Sequence, residues 1–176
     1  MQREALAKRI YDVAHITGQF KLRSGATSTE YFDKYLFEAE PALLRTIAEH
    51  LSRLVPADAA ALAGLEMGGI PVATMLSQVT GKPVLFVRKK AKEYGTCKFA
   101  EGGPAKQRLL VIEDVVTSGG QIIESANALR QLGATITDVL CVIDREAGGR
   151  EKLREVGLAL HALFTMKELK AAVGVK

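Results

Sequence analysis

The sequence predicts an α/β fold with a central, mainly parallel sheet flanked by helices, and three observations lead there. From residue 58 onward, short apolar runs of strand length alternate with amphipathic runs of helix length. That alternation is the pattern of βαβ units, in which a sheet covered on both faces shows as continuous apolar strands. One such run, "RLLVIEDVVTSGGQ" (108–121), passes directly into two carboxylates and a Thr/Ser/Gly loop, and open α/β sheets bind ligands beyond the carboxyl ends of their strands. Finally, 176 residues with 48% hydrophobic and 25% charged side chains suffice for one buried core and are too few for two full domains. We therefore read 1–176 as a single domain.

Taken in order, residues 3–17 carry Leu6, Ile10, Val13 and Ala14 at helical spacing, and 41–54 open with Pro41 and repeat Leu43, Ile47, Leu51 and Leu54; both predict amphipathic helices. Between them, about 18–40 mix turn residues with short apolar and aromatic pieces, which predicts irregular strands or an excursion from the main sheet. "AAALAGLE" (59–66), "PVLFVR" (83–88), "RLLVI" (108–112) and "TITDVLCVIDR" (135–145) predict sheet strands, with helices at "IPVATMLSQVT" (70–80) and "QIIESANALRQLG" (121–133). A short helix near 149–155, a strand near 158–164 and a last helix from about Thr165 complete the chain.

Composition narrows the function. No apolar run approaches the roughly 20 residues of a membrane span, and the N-terminus alternates charge with apolar residues, unlike a signal peptide; a cytoplasmic protein that does not engage membranes is expected. Cys97 and Cys141 lack metal-ligand spacing, so reduced thiols are the default. The net charge of +4 is concentrated: residues 88–108 hold seven Lys or Arg and two Glu, a local +5, leaving about −1 elsewhere. A single basic segment favours a local anionic ligand over a nucleic-acid surface.

Within the opening motif, Gly119 and Gly120 permit a tight turn and close backbone approach, and the N–H groups of the loop with the start of the following helix form a nest for phosphate. Thr117 and Ser118 add hydroxyl donors. Glu113 and Asp114 just before the loop suit a second ligand feature, vicinal hydroxyls, so the pair of features fits a ribose 5-phosphate. The plainer alternative is that Ser118 caps a helix and the acids are solvated at a strand end. Neither GxxxxGK[ST] nor GxGxxG occurs, which argues against a nucleotide-triphosphate P-loop or a dinucleotide fold.

"LLVIEDVVTSGG" (109–120) resembles the phosphoribosyl pyrophosphate (PRPP) signature of type I phosphoribosyltransferases. Three further stretches narrow the resemblance to the orotate phosphoribosyltransferase family: "FKLRSGATSTEYFD" (20–33), the basic "VRKKAKEYGT" (87–96) and "VIDREAGGR" (142–150). They occur in family order and span residues 20–150. The resemblance implies a Mg2+-dependent pentosyl transfer from PRPP to orotate within UMP biosynthesis, giving orotidine 5-monophosphate and pyrophosphate. It implies a type I phosphoribosyltransferase fold, with about 18–40 and the C-terminal part forming a hood over the base and 88–103 forming a mobile basic loop. Arg88, Lys92 and Asp114 are the implied catalytic residues. PRPP would be held by Arg88, Lys89, Lys92, Tyr94, Glu113, Asp114, Val115, Val116, Thr117, Ser118, Gly119, Gly120 and Gly68, the last with Met67 and Gly69 through backbone N–H groups. Orotate would meet Arg23, Tyr31, Phe32, Thr117 and Arg145, whose guanidinium fork matches a planar carboxylate; core packing is the alternative for Phe32, and Asp144 would at most orient Arg145. No direct metal ligand is assigned, Mg2+ being carried by PRPP and by waters near Asp114. A homodimer with shared sites is implied.

Two departures from the family pattern stand out. Gly68 lies where many bacterial members have Lys, and Tyr94 where the basic loop usually has His, which predicts an altered pH dependence because Tyr cannot become a cation. His15, His50 and His161 fall outside the matched motifs and are expected to be structural or surface residues, and Cys97 to be dispensable. Competing expectations are a phosphoribosyltransferase for another base, or a PRPP-sensing regulator that binds nucleic acid.

Overall fold

A computed structural model describes residues 1–21, 25–91 and 98–175. Arg23, Lys92, Tyr94 and Cys97 lie outside the described residues.

The first helix, α1 (Arg3–Ala14), buries Leu6, Ala7, Ile10, Tyr11 and Ala14 along one stripe. The helical pattern extends to residue 17, but the chain leaves the helix at His15 because strand β1 (His15–Lys21) pairs antiparallel with β2 (Thr27–Phe32), with a register shift between Thr17 and Phe20. This two-stranded sheet is the expected excursion. A short helix, α2 (Lys34–Glu38), follows, its N-terminus capped by Asp33 accepting from the Tyr35 N–H. Helix α3 (Pro41–Leu51) ends three residues before the apolar repeat does, since Ser52–Leu54 tighten into a 3-10 turn.

The main sheet is then laid down by β3 (Ala61–Leu65), α4 (Gly69–Thr80), β4 (Val84–Val87), β5 (Ala100–Glu101), β6 (Leu109–Val116), α5 (Gly120–Gln131), β7 (Asp138–Asp144), α6 (Gly149–Glu155), β8 (Ala159–Thr165) and α7 (Met166–Ala172). Its six strands run in the order β5-β4-β3-β6-β7-β8, all parallel except β5, which pairs antiparallel with β4. The β5 strand, two residues inside the expected basic loop segment, has too short an apolar run to read as a strand; its ladder to Phe86 and Val87 makes it one.

Both faces of the sheet are covered, as the continuous apolar runs require. Along β6, Leu110 and Ile112 pack with α1, α3 and α4, while Leu109 and Val111 pack with α5 and α6, the period-2 alternation of a strand. The chain passes from β3 to β4 through α4 on the first face and from β6 to β7 through α5 on the second. Strand order therefore reverses between β3 and β6, and the crevice at their carboxyl ends is the topological switch point where α/β sheets bind ligands. Among the described residues no helix is long and apolar enough to cross a membrane.

Candidate active site

A cavity of about 340 Å³ occupies that switch point, lined by Glu66, Met67 and Gly68 after β3, by Glu113 to Ile122 from β6 into α5, by Lys89, and by Lys34 and Tyr35 of α2. The loop from Thr117 to Gly120 is built as the sequence suggests. Gly119 adopts a left-handed φ of 74° as N-cap of α5, and Gly149 packs so tightly that a Cβ there would come 2.5 Å from the Thr117 carbonyl. The N–H groups of the first turn of α5 have no intrahelical partners, and they open on the cavity beside Ser118, Gly119 and Gly120.

The acids differ from the expectation. The strand does not stop before Glu113 but continues to Val116, pairing through Glu113 with Cys141 and Val115 with Ile143. Asp114 is fully buried, which rules out acids merely solvated at a strand end. Its Oδ1 accepts from the Val115 N–H at 2.5 Å and its Oδ2 lies 2.5 Å from Lys34 Nζ, while Glu113 Oε1 accepts from the Asp114 N–H at 3.0 Å. Burial pulls the Lys34 ammonium down, but the Asp114 and Glu113 carboxylates outweigh it and hold the pKa above the ordinary value. Burial first, and then Asp114, push Glu113 well up.

Glu38, one helical turn beyond Lys34, completes the cluster. It is 7% exposed, and neither carboxylate oxygen has a hydrogen-bond partner among the described residues. Burial, then the neighbouring Asp114 charge, push its pKa from 4.5 up to about 9, so Glu38 carries a proton at neutral pH. The folded protein thus binds a proton that the unfolded chain releases above its ordinary carboxylate pKa. Stability therefore falls as pH rises through the window from about 4.5 to 9, by at most about 1.4 kcal/mol per pH unit for one proton. Glu38→Gln keeps the shape and removes the titration, so its urea midpoint is expected to decline less than that of the parent between about pH 6 and pH 8.5; equal declines in both proteins would refute the assignment.

A second cavity, of about 210 Å³, collects Tyr31, Phe32 and Arg145 as the sequence resemblance implied. Phe32 both lines this cavity and packs against the core. Tyr11, His15, Ser28, Glu30, Met166 and Lys170 complete the lining. His15, expected to be structural or at the surface, thus belongs to this cavity, where it pairs with Glu30 at 2.8 Å, and its hydrogen bond holds the Glu30 carboxyl below its ordinary value. His161 is structural, pairing with Asp138 at 2.8 Å, and His50 meets the Met1 carbonyl at 3.0 Å. The two cavities are tied together by the Arg145 N–H, which donates to the Val116 carbonyl at 2.9 Å.

Several placements differ from the assigned roles. Thr117 lines the first cavity and not the aromatic one, and Lys89 lines it where Arg88 does not; the Arg88 N–H instead donates to Phe99. Asp144 does not orient Arg145. It accepts from Arg150 Nε at 3.1 Å and from the Glu146 N–H at 2.9 Å. Lys34, Tyr35 and Glu38 escaped the sequence reading, although "KY" directly follows the matched "EYFD"; only the fold of α2 onto β6 turns them into site residues. Among the described residues no group of three His, Cys, Asp or Glu is placed to hold a metal ion. The Glu113 and Asp114 carboxylates are nonetheless the hard oxygen donors that suit Mg2+ carried in by a ligand.

Residues 36–157 match the family profile described as phosphoribosyl transferase domain. An orotate phosphoribosyltransferase of Nocardioides sp. is 52% identical over 168 residues, 95% of this chain and 94% of that protein. The chain belongs to the orotate phosphoribosyltransferase family. Its fold is similar to that of orotate phosphoribosyltransferase from Aeropyrum pernix, with a TM-score of 0.84 at 32% identity over 96% of this chain and 98% of that one. The Mycobacterium tuberculosis orotate phosphoribosyltransferase in complex with PRPP gives a TM-score of 0.81 at 25% identity, over 95% of this chain and 98% of that one. Family membership accounts for the fold, a mainly parallel central sheet flanked by helices.

Proposed function

We propose that the protein transfers the 5-phosphoribosyl group from PRPP to orotate, giving orotidine 5-monophosphate and pyrophosphate in UMP biosynthesis. The observation that carries this reading is the joining of two complementary cavities by the Arg145–Val116 hydrogen bond. One offers a glycine loop and helix N-terminus for a phosphate, with carboxylates for ribose hydroxyls; the other offers aromatic rings and an arginine for a planar anion.

Cleavage of the C1–O bond builds positive charge on the ribose and negative charge on the departing diphosphate. The loop Thr117 to Gly120 anchors the 5-phosphate, so the ribose lies over Glu113 and Asp114, and the Asp114 carboxylate favours the oxocarbenium-like transition state. Lys89 lines the cavity where the diphosphate would lie, with Arg88, Lys92 and Tyr94 proposed as further ligands from the same basic segment, and Met67, Gly68 and Gly69 would meet it through backbone N–H groups. Arg145 grips the orotate carboxylate while Tyr31 and Phe32 stack beside the ring, and Arg23 is proposed as a further orotate ligand. Glu113 and Asp114 are the residues that would hold Mg2+ arriving with PRPP, and the cation would supply neutralisation of charge on the leaving diphosphate. Substrates and products are small, highly charged anions, which suits a cytoplasmic reaction, and we infer a two-fold homodimer in which the basic loop of one protomer completes the site of its partner.

The test is orotate consumption followed by absorbance with PRPP and Mg2+, alongside uracil, hypoxanthine and adenine. PRPP-dependent loss of orotate alone is expected. Turnover of a different base would overturn the assignment of Arg145, and PRPP binding without turnover of any base would overturn the enzymatic reading.

A further inference from the structure

The switch-point cavity lacks a side chain where one would be expected to contribute charge. Gly68 follows β3 at the cavity wall, and a Cβ there would land on Asp114 Oδ2 and lie 3.0 Å from Lys34 Nζ. The space a residue 68 side chain would fill is thus already occupied by the Lys34 ammonium and its carboxylate partner. Lys34 comes from a different element, α2, and reaches the wall beside Glu66, Met67 and Lys89 with its side chain still 32% exposed. An ammonium has three donors, and the carboxylate of Asp114 engages it from one side only. The Tyr35 ring centroid lies 5.0 Å from Nζ on another side, and the part of Lys34 that stays exposed lines the cavity an anion would enter.

We propose that Lys34 binds the diphosphate end of PRPP, supplying from α2 the cation that the glycine at position 68 cannot. In the free protein Lys34 is tethered by Asp114, which holds the ammonium at the cavity wall; with PRPP present it bridges that carboxylate and a phosphate oxygen. The arrangement explains why Gly68 is tolerated without loss of positive charge, and it gives Asp114 the second task of aiming a cation. Residue 34 also lies two positions beyond Phe32 of the aromatic cavity, so the segment that forms the base cavity carries a ligand for the diphosphate as well. The inference rests on the PRPP reading above.

Wild-type protein is measured first, by turnover and by calorimetric binding of PRPP and of magnesium pyrophosphate; failure of all of these would overturn the PRPP reading itself. With wild-type activity in hand, Lys34→Met is expected to raise the PRPP KM and the pyrophosphate Kd at least tenfold while moving the orotate KM less than twofold. Lys34→Arg should recover most of that loss, since it restores the cation. A Lys34→Met PRPP KM within twofold of wild type, or an arginine variant no better than the methionine one, would overturn the proposal. A second measurement avoids dependence on how the variants fold: on wild-type protein, magnesium pyrophosphate should protect Lys34 from acetylation, read by mass spectrometry, whereas unchanged labelling would count against it. A lysine that served only to neutralise Asp114 would lower melting temperature and rate in all substrates alike and would show no such protection.

Discussion

Gly68→Ala is expected to lower kcat/KM for PRPP by two orders of magnitude or more, a loss of about 3 kcal/mol in transition-state binding, and to lower the melting temperature as well, since overpacking a buried site costs about 1–3 kcal/mol. The backbone at this position is helical, with φ −69° and ψ −30°, so alanine meets no conformational objection. The obstacle is space: the new methyl group would fall on Asp114 Oδ2 and press on the Lys34 ammonium. Asp114 has nowhere to retreat, being fully buried with its Oδ1 tied to the Val115 N–H. Displacing the carboxylate that faces the ribose by even about 1 Å is the kind of misplacement that costs roughly 100-fold in a positioned reaction. Steady-state kinetics at saturating orotate, with thermal melting in parallel, check the expectation; a variant retaining more than a third of parental kcat/KM would mean that Asp114 is free to move and that its geometry is not critical.

Arg145→Ala is expected to raise the orotate KM by 30- to 100-fold, corresponding to about 2–3 kcal/mol for a charge-assisted hydrogen-bonded pair, with the PRPP KM within threefold of the parent. The separation of effects follows from the architecture. The side chain lines the aromatic cavity, and its contact with the phosphate loop runs through its backbone N–H to the Val116 carbonyl, which alanine keeps. A uniform rise in both KM values would show that Arg145 shapes the phosphate loop and does not select the base; an unchanged orotate KM would move the carboxylate contact to Lys170, the other lysine or arginine lining that cavity.

Much of the fold was legible because its strands are buried on both faces. "LLVI" (109–112) and "VLCVI" (139–143) are continuous apolar runs, and such a run placed between helices has few alternatives to a central parallel strand. The helix over 149–155 was readable to the residue, and the start of α7 was marked by Thr165, whose side chain forms a capping box with Glu168. Boundaries failed where pairing overruled local preference. The helical repeat through residue 17 gave way at His15 to the β1–β2 ladder, and the acidic pair that looked like a strand end proved to lie inside β6.

The phosphate loop was legible for a local reason: the chemistry lies within one short stretch, so strand, acids, hydroxyls and glycines appear in the order in which the ligand meets them. The aromatic cavity was less so, since Tyr31, Phe32 and Arg145 are brought together from β2 and the end of β7, and only resemblance linked them. Lys34 and Glu38 were illegible. A lysine and a glutamate four residues apart on a short helix look like an ordinary solvated pair, and nothing nearby in sequence indicates that the helix will fold over β6. The sequence by itself determined the sheet, its covering helices and the anion loop, because burial periodicity and backbone permissiveness are properties of contiguous residues. The tertiary structure alone decided that Asp114 would share its burial with Lys34 and Glu38, because the strength of a charge pair and the protonation of a carboxyl depend on desolvation and distance, which exist only once distant segments have packed.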